Sequence, residues 1–538
     1  NQISAQKVIG KVIDADNSIE LSKVIVANSE KNNVTLTDDK GSFLVFNLGT
    51  YTFSKEGYFS KTITFSTTDF RVIELKSQIE NLNEITITAD NFKSKLKNMA
   101  SAITVISAKE IKNNSTVNIA PILNAVPGVF MHNGTLTTNR ITIRGIGTRN
   151  LYGTSKIRAY YEEIPLTNGS GESVIEDVEL NALGKIEIFK GPSSSMYGAG
   201  LGGTIQLISD KGKFDKTFIN NRYTFGSFGL QKLVLQANLG NKINSANIIY
   251  SNTESDGYRE NNKTNKKILS IATNHFLSNT NKLTFIGNYV DLKAFIPSSV
   301  DETTYVNNPK SSAFTWGAAE GFEDYKKGLF GLSWQHDYNS TTKQHTSIFT
   351  SFSDSFEARP FNYLKEKTNA IGLRTKLLFN TQLFNQNLLW TIGGEVFSDK
   401  NSYQIFQNLY KDFPIGTGSI QGTLLSNFKE NRTYFNLFFD SKYELTAKTK
   451  FNFGININQT SYNLEDKFYT SNINYSGDYS FGTILSPKFG LTKQVTNNSI
   501  IYGTISHGFS PPTLEETLLP NNLINTNIEP ESGWNFEI

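Results

Sequence analysis

From about residue 213 onward, apolar and polar residues alternate with a period of two. Between Thr433 and Tyr443 the odd positions read Thr, Phe, Leu, Phe, Ser, Tyr, with Tyr434, Asn436, Phe438 and Asp440 between them; Phe451, Phe453, Ile455 and Ile457 alternate in the same way with Lys450, Asn452, Gly454 and Asn456. Period two sends successive side chains to opposite faces of a strand. An apolar face against lipid and a polar face against a lumen is the pattern of a transmembrane β-barrel. Comparable segments run near 216–226, 228–239, 243–255, 265–278, 281–294, 326–338, 342–356, 367–381, 386–401, 428–445, 447–463, 484–496, 498–508 and from 532 onward, about fourteen strands in all. Tight connections such as Ser278-Asn279-Thr280-Asn281 alternate with long ones near 295–325, 402–427 and 509–531. Short turns at one end and long loops at the other are what such a barrel requires.

Two units precede the barrel. Residues 1–80 hold short alternating strands around Val8, Gly10, Val12, Val24 and Val26, with turn chemistry at Thr37 to Gly41 and Lys55 to Gly57, which predicts a small β-sandwich. Asp38-Asp39 reads as a turn, because the further carboxylates of a calcium loop are missing at the required offsets. The 81–98 segment is a β-prone run, Leu82 to Ala89, followed by a polar stretch. Residues 99–212 then give a strand at Ile103 to Ile106, a Ser107…Glu110 capping box, a short helix over Ile119 to Val126, and Arg140-Ile141-Thr142-Ile143-Arg144-Gly145 alternating into a glycine. Tyr160 to Pro165 is a strand with a turn, and Lys185 to Ile208 closes the unit. That block joins a strand, a Gly191-Pro192 break, a small polar turn, and a return strand spaced by Gly198, Gly200, Gly202 and Gly203. It lacks the Gly-Lys-Ser/Thr ending and following helix of a phosphate cradle.

Composition narrows the chemistry. The 538 residues carry no cysteine, which excludes disulfides, thiolate metal sites and a cysteine nucleophile. Formal net charge is +3, giving no signal for nucleic acid. His132, His275, His336, His345 and His507 show no metal-ligand spacing, and no nucleophile–base pair or nucleotide fingerprint appears, so no catalytic, metal or cofactor site is expected. With 39 Phe and 23 Tyr but no run of about eighteen apolar residues, a membrane helix is not expected. Asn1 opens no basic-then-apolar leader, so the chain reads as mature, its export signal already removed.

The Lys185 to Ile205 block, and the order of features from Ala102 to Asp210, resemble the plug domain of TonB-dependent outer-membrane receptors. The 1–80 unit resembles the carboxypeptidase regulatory-like domain found ahead of such plugs. The resemblance implies a mainly β chain: a sandwich, an α+β plug and an antiparallel outer-membrane barrel over 213–538. That barrel is C-terminally incomplete, because the family closes with twenty-two strands around a plugged lumen and the chain stops at Phe536-Glu537-Ile538. It implies a TonB box at Glu84, Ile85, Thr86, Ile87 and Thr88, presented to a periplasmic energy-coupling protein by strand addition. Arg144, Gly145, Gly191, Pro192, Tyr197, Gly198, Gly202 and Gly203 take structural roles in the plug, Arg144 through lumen carboxylates. Ligand-binding candidates are Asn133, Thr135, Thr148, Arg149, Tyr152 and Ser155 on the plug apex, with Tyr305, Trp316, Phe322, Arg359, Tyr403, Tyr410 and Lys411 in the barrel. Arginines and aromatics there suit an anionic or aromatic ferric chelate. The expected function is active import of a ferric siderophore or ferric-citrate-like chelate, with the energy-coupling protein and membrane lipid as partners. The Gly-Pro form at residues 191–192, and Ser506 to Glu516 with Ile528 to Glu531, are similar to siderophore-type receptors. A SusC-like glycan or peptide importer and a non-transporting adhesin or docking barrel are the alternatives.

Overall fold

The structure is a computed structural model that describes residues 7–15, 19–28, 34–77, 96, 99–137, 139–148, 153–169, 171–468, 474–496, 499–512 and 528–538. The segment Glu84 to Thr88 lies outside the described residues, as do Arg149 and Tyr152.

Seven short strands come first: β1 (Val8–Asp14), β2 (Ile25–Asn28), β3 (Val34–Leu36), β4 (Ser42–Val45), β5 (Gly49–Ser54), β6 (Lys61–Phe65) and β7 (Arg71–Leu75). They form two sheets, β4-β1-β7 and β3-β2-β5-β6. Alternate residues of both, among them Val12, Val26, Phe43, Phe53 and Phe65, bury into one shared core. The Asp38 carboxylate accepts from the backbone N–H groups of Lys40 and Ser42, closing the turn before β4.

The second unit contains β8 (Ile103–Ser107), α1 (Ala108–Asn113), α2 (Ala120–Asn124), β9 (Val129–Asn133), β10 (Asn139–Ile143), β11 (Ile157–Tyr161), β12 (Ile164–Pro165), β13 (Leu183–Lys190), α3 (Ser194–Tyr197) and β14 (Gly203–Ser209). Five strands form a sheet in the order β12-β11-β14-β13-β8, and β9 and β10 make a separate hairpin. Ser107 caps α1 with Glu110 reaching back to its backbone, the full capping box. The stretch after Gly191-Pro192, read from sequence as a polar turn, is a single helical turn, α3.

The remainder is a fifteen-stranded sheet. Its strands are β15 (Phe218–Phe225), β16 (Gln231–Gly240), β17 (Asn244–Ser255), β18 (Thr264–Phe276), β19 (Asn281–Phe295), β20 (Phe322–Asp337), β21 (Thr342–Arg359), β22 (Asn362–Leu383), β23 (Gln386–Asn408), β24 (Gln421–Thr446), β25 (Thr449–Asp466), β26 (Gly477–Ser480), β27 (Ile484–Gln494), β28 (Ile500–Ser510) and β29 (Glu531–Glu537). Fourteen lie on one path of sequential antiparallel neighbours from β15 to β29, with β26 paired to β25 beside it. Two short helices, α4 (Glu302–Asn307) and α5 (Phe314–Ala318), occupy the connection between β19 and β20.

Register fixes which side chains share a level. Leu373, Val396 and Phe435 are cross-strand neighbours on the outward face, while Arg374, Glu395 and Asn436 form the adjacent level facing inward. Several strands run further outward than alternation suggests. The 402–427 connection reduces to the stretch between β23, ending at Asn408, and β24, starting at Gln421. Beyond the apolar belt both faces meet polar surroundings, so the apolar/polar contrast fades while the ladder of backbone hydrogen bonds continues.

The two-sheet unit sits against the short-turn end of this wall. Ile13 and Val72 pack with Phe214 and Phe276, Lys11 reaches Asp337 at 3.5 Å and Glu20 at 3.7 Å, and Arg71 pairs with Asp215 at 3.0 Å.

Candidate functional site

The second unit fills the space inside the curved wall, and buried ion pairs fix its position. Glu395 of β23 accepts from Arg158 of β11 at 2.8 Å, from the Tyr160 hydroxyl at 3.0 Å and from Arg374 of β22 at 2.6 Å. Arg374 also lies 3.3 Å from Glu163, which Lys376 contacts at 2.7 Å. Asp177 accepts from Tyr325 at 2.6 Å and pairs with Lys266 at 3.0 Å and Lys327 at 3.3 Å. Glu179 pairs with Lys232 at 2.9 Å and accepts from Ser251 at 2.7 Å. Burial by itself pushes the Glu163 and Asp177 carboxyls up, but their cationic neighbours outweigh it: Glu163 falls well below the usual carboxylate range and Asp177 to about 2. Breaking such pairs is costly, because the remaining charge stays buried without compensation.

Along β24 to β28 the same unit meets a different surface. The α3 turn lies against these strands: Tyr197 is buried beside Tyr160 and Phe189, and Pro192 rests on Gly508. Gly198 has φ +71° and abuts the Tyr434 hydroxyl so closely that a Cβ would collide with it. Gly203, at φ +143°, leaves no room for a Cβ beside the Phe189 carbonyl, while Gly202 packs on Ile146 and Ile157. On this side the facing side chains include Asn436 and Asn456, both fully buried. Neither amide has a hydrogen-bond partner among the described residues, and neither does the Tyr434 hydroxyl. Buried polar groups of this kind are ordinarily satisfied by bridging water.

Beside this seam a small crevice, open to solvent, lies between the two bodies. Its inner side is formed by Ser155, Thr167, Asn168, Gly169 and Gly200, its outer side by Phe397, Tyr434, Thr460, Tyr462 and Pro511. Phe397, Tyr434 and Thr460 are cross-strand neighbours. The N–H of Gly169 donates to Asp399 at 3.1 Å, and Asp399 pairs with Arg432 at 3.0 Å, so the crevice floor is held at its edge by charge.

Of the ligand-binding candidates among the described residues, only Ser155 lines this crevice. Asn133 and Thr135 lie at the β9–β10 hairpin tip, and Thr148 follows the turn formed by Arg144 and Gly145, both at positive φ. Arg144 pairs with Glu537 of β29 at 2.8 Å, and Gly191 is at φ +98°. Tyr305 and Trp316 belong to α4 and α5. Phe322 makes tilted ring contacts with Phe295 and Phe356, at 5.6 and 5.5 Å, in the row facing away from the lumen. Arg359 ends β21 and pairs with Glu357. Tyr403 faces inward and stacks on Phe428 at 5.0 Å. Tyr410 is buried, with Lys411 over its ring at 5.8 Å. Phe397, Tyr434 and Tyr462 were missed, although their inward parity was readable; their common level depends on register, which alternation does not supply.

Residues 95–204 match the family described as TonB-dependent Receptor Plug Domain, and residues 209–538 match the TonB dependent receptor-like beta-barrel. The chain belongs to the TonB-dependent receptor family, and its place is the outer membrane. The inner unit is thus the plug and the curved sheet the barrel wall. Among solved structures it is similar to the ferric citrate transporter FecA in its unliganded form, with TM-score 0.69, 14% identity, and coverage of 85% of this chain and 70% of that one. For the siderophore receptor PiuA from Acinetobacter baumannii the values are 0.67, 15%, 84% and 72%. Among curated proteins, the iron-regulated outer membrane virulence protein of Vibrio cholerae serotype O1 is 30% identical over 128 residues, which are 23% of this chain and 20% of that protein. The vitamin B12 transporter BtuB of Vibrio vulnificus is 22% identical over 135 residues, 24% of this chain and 21% of that protein. The chain therefore spans about a fifth of the length of these curated relatives.

Proposed function

We propose that this chain supplies the sandwich, plug and barrel strands of a receptor that imports a ferric siderophore or ferric-citrate-like chelate, with energy supplied by a TonB-type periplasmic protein. The observation that carries the reading is a plug held inside the wall by charge beneath a crevice with an aromatic outer side, Phe397, Tyr434 and Tyr462. The names of the neighbours favour iron: a ferric citrate transporter, a siderophore receptor and an iron-regulated outer membrane protein. The likeness to BtuB supports cobalamin as a second reading. We assign the sandwich to the carboxypeptidase regulatory-like type, Glu84 to Thr88 to the TonB box, and domain limits near residues 80, 98 and 212.

Titration of the full-length receptor with ferric citrate, a ferric catecholate and cobalamin tests the ligand. Tight binding of one of the two iron chelates supports the reading; binding of cobalamin alone overturns it. Coupling is tested with Ile85→Pro, which removes a backbone donor and fixes φ, so an added strand fails. Uptake is lost and binding retained if the assignment holds, whereas unchanged uptake removes Glu84 to Thr88 from that role.

A further inference from the structure

Between β14, ending at Ser209, and β15, starting at Phe218, the chain passes from plug to wall, and three consecutive residues of that connector are gripped from two sides. On the wall side the Asn238 amide accepts from the N–H of Lys213 at 2.6 Å and donates to the carbonyls of Lys213 and Lys216 at 3.1 and 2.6 Å. The N–H of Asp215 donates to the Asn241 carbonyl at 3.1 Å. On the other side stands the sandwich. Lys213 Nζ donates to the Ala15 carbonyl, the Phe214 N–H donates to the Glu74 carboxylate, and Asp215 accepts from Arg71 Nη2 at 3.0 Å and Nε at 3.3 Å. The Phe214 ring is 2% exposed, enclosed by Ile13 and Val72 of the sandwich and by Phe276 of the wall.

Period two divides the work of β7. Ile73 and Leu75 bury in the sandwich's own core, whereas Val72 packs on the connector and donates its N–H to the Lys242 carbonyl at 2.9 Å. A domain tethered only through its linker would move freely against its neighbour. Here an apolar contact, an ion pair and backbone hydrogen bonds converge on residues 213–215, and undocking would leave the Phe214 ring facing water. The sandwich is also joined through residues 78–95 to the start of the plug, so both ends of the plug chain lead to the same body.

We infer that the sandwich is a retaining clamp on the plug-to-barrel connector: docked on Lys213, Phe214 and Asp215, it keeps the C-terminal end of the plug seated on the wall while the rest of the plug is displaced. The inference rests on the docked geometry and on family membership, not on the identity of the imported ligand.

The test uses the full-length receptor in detergent, with chymotrypsin cleavage after Phe214 followed by mass spectrometry. Val72→Asp sets a carboxylate against Phe214 and Phe276 without touching the sandwich core, and should speed this cut by at least about ten-fold. Ile9→Asp, on the same face of β1 but exposed, should leave the rate unchanged. Arg71→Glu should raise the rate by up to about five-fold, the scale of an exposed ion pair, and Arg71→Glu/Asp215→Lys should bring it back toward wild type. Retention is read separately. With Ile164→Cys as a reporter at the plug–wall boundary, adding Val72→Asp should let a maleimide react at lower urea. An unchanged cut in Val72→Asp, an equal rise in Ile9→Asp, no recovery in the charge swap, or the same urea midpoint for the thiol at 164 with and without Val72→Asp would each overturn the clamp.

Discussion

The plug meets the barrel wall in two contrasting ways. Against β16 to β23 it is held by buried charge, with Glu179, Asp177, Glu163 and Arg158 each paired to a wall residue. Against β24 to β28 it is held by single hydrogen bonds, such as Lys488 to the Ser101 hydroxyl at 2.9 Å and the Gly200 N–H to the Phe509 carbonyl at 2.8 Å, and the amides of Asn436 and Asn456 lack partners among the described residues. The first surface specifies one seating and resists its loss. The second has fewer ion pairs to break among the described residues, so it costs less to slide across. The plug thereby has a firmly fixed side and a slacker side.

The largest effect should come from the fixed side. Glu395→Ala leaves Arg158 and Arg374 buried without their shared carboxylate, at a cost of about 3–5 kcal/mol; thermal melting of the full-length receptor should show it. Next is the wall. Phe453 lies in an outward row with Ser441 and Phe489, whereas Asn452 faces inward beside Lys442. Phe453→Arg should cost about 2–4 kcal/mol near the bilayer midplane and Asn452→Arg much less, read as yield of assembled barrel; equal yields would contradict the assigned faces.

The slack side should respond with the opposite sign. Replacing an unpaired buried amide by an apolar group of similar size removes a desolvation penalty of about 1–3 kcal/mol, so Asn436→Leu should leave stability unchanged or raise it. A loss comparable to that of Glu395→Ala would erase the distinction between the sides. The smallest effect concerns acid. Because Glu163 and Asp177 are held below the ordinary carboxylate range, their contribution is present above that range and fades only as pH falls toward the folded value, about 2 for Asp177. Plug seating, followed by protease protection, should therefore be the same at pH 7 and pH 5.

Much of this fold was legible in the chain. Parity at Phe435, Leu437, Phe451 and Phe453 gave the outward face, and Ser107…Glu110 gave a helix start that the structure contains. What could not be read was level. Arg374 and Glu395 meet because β22 and β23 pair in one register, and Arg158 reaches them from a position 237 residues away from Glu395. Alternation reports which face a residue takes, not which neighbour it meets. Phe322 shows the same limit, as an aromatic beside a long connection that takes the outward row. The docking of Ile13 and Val72 on Phe214 and Phe276 left no mark either, since those positions read as ordinary strand residues.

The asymmetry is tested most directly by single thiols in a chain that contains none. Ser195 of α3, beside Gly454, and Ile164 of β12, beside Gly331, are both buried at the plug–wall boundary, on the slack and fixed sides respectively. Ser195→Cys and Ile164→Cys would each be exposed to a maleimide while urea is raised in steps on the full-length receptor. The Cys at position 195 should become reactive at urea concentrations where that at 164 is still protected; a common midpoint, or the reverse order, would contradict a plug fixed on one side and slack on the other.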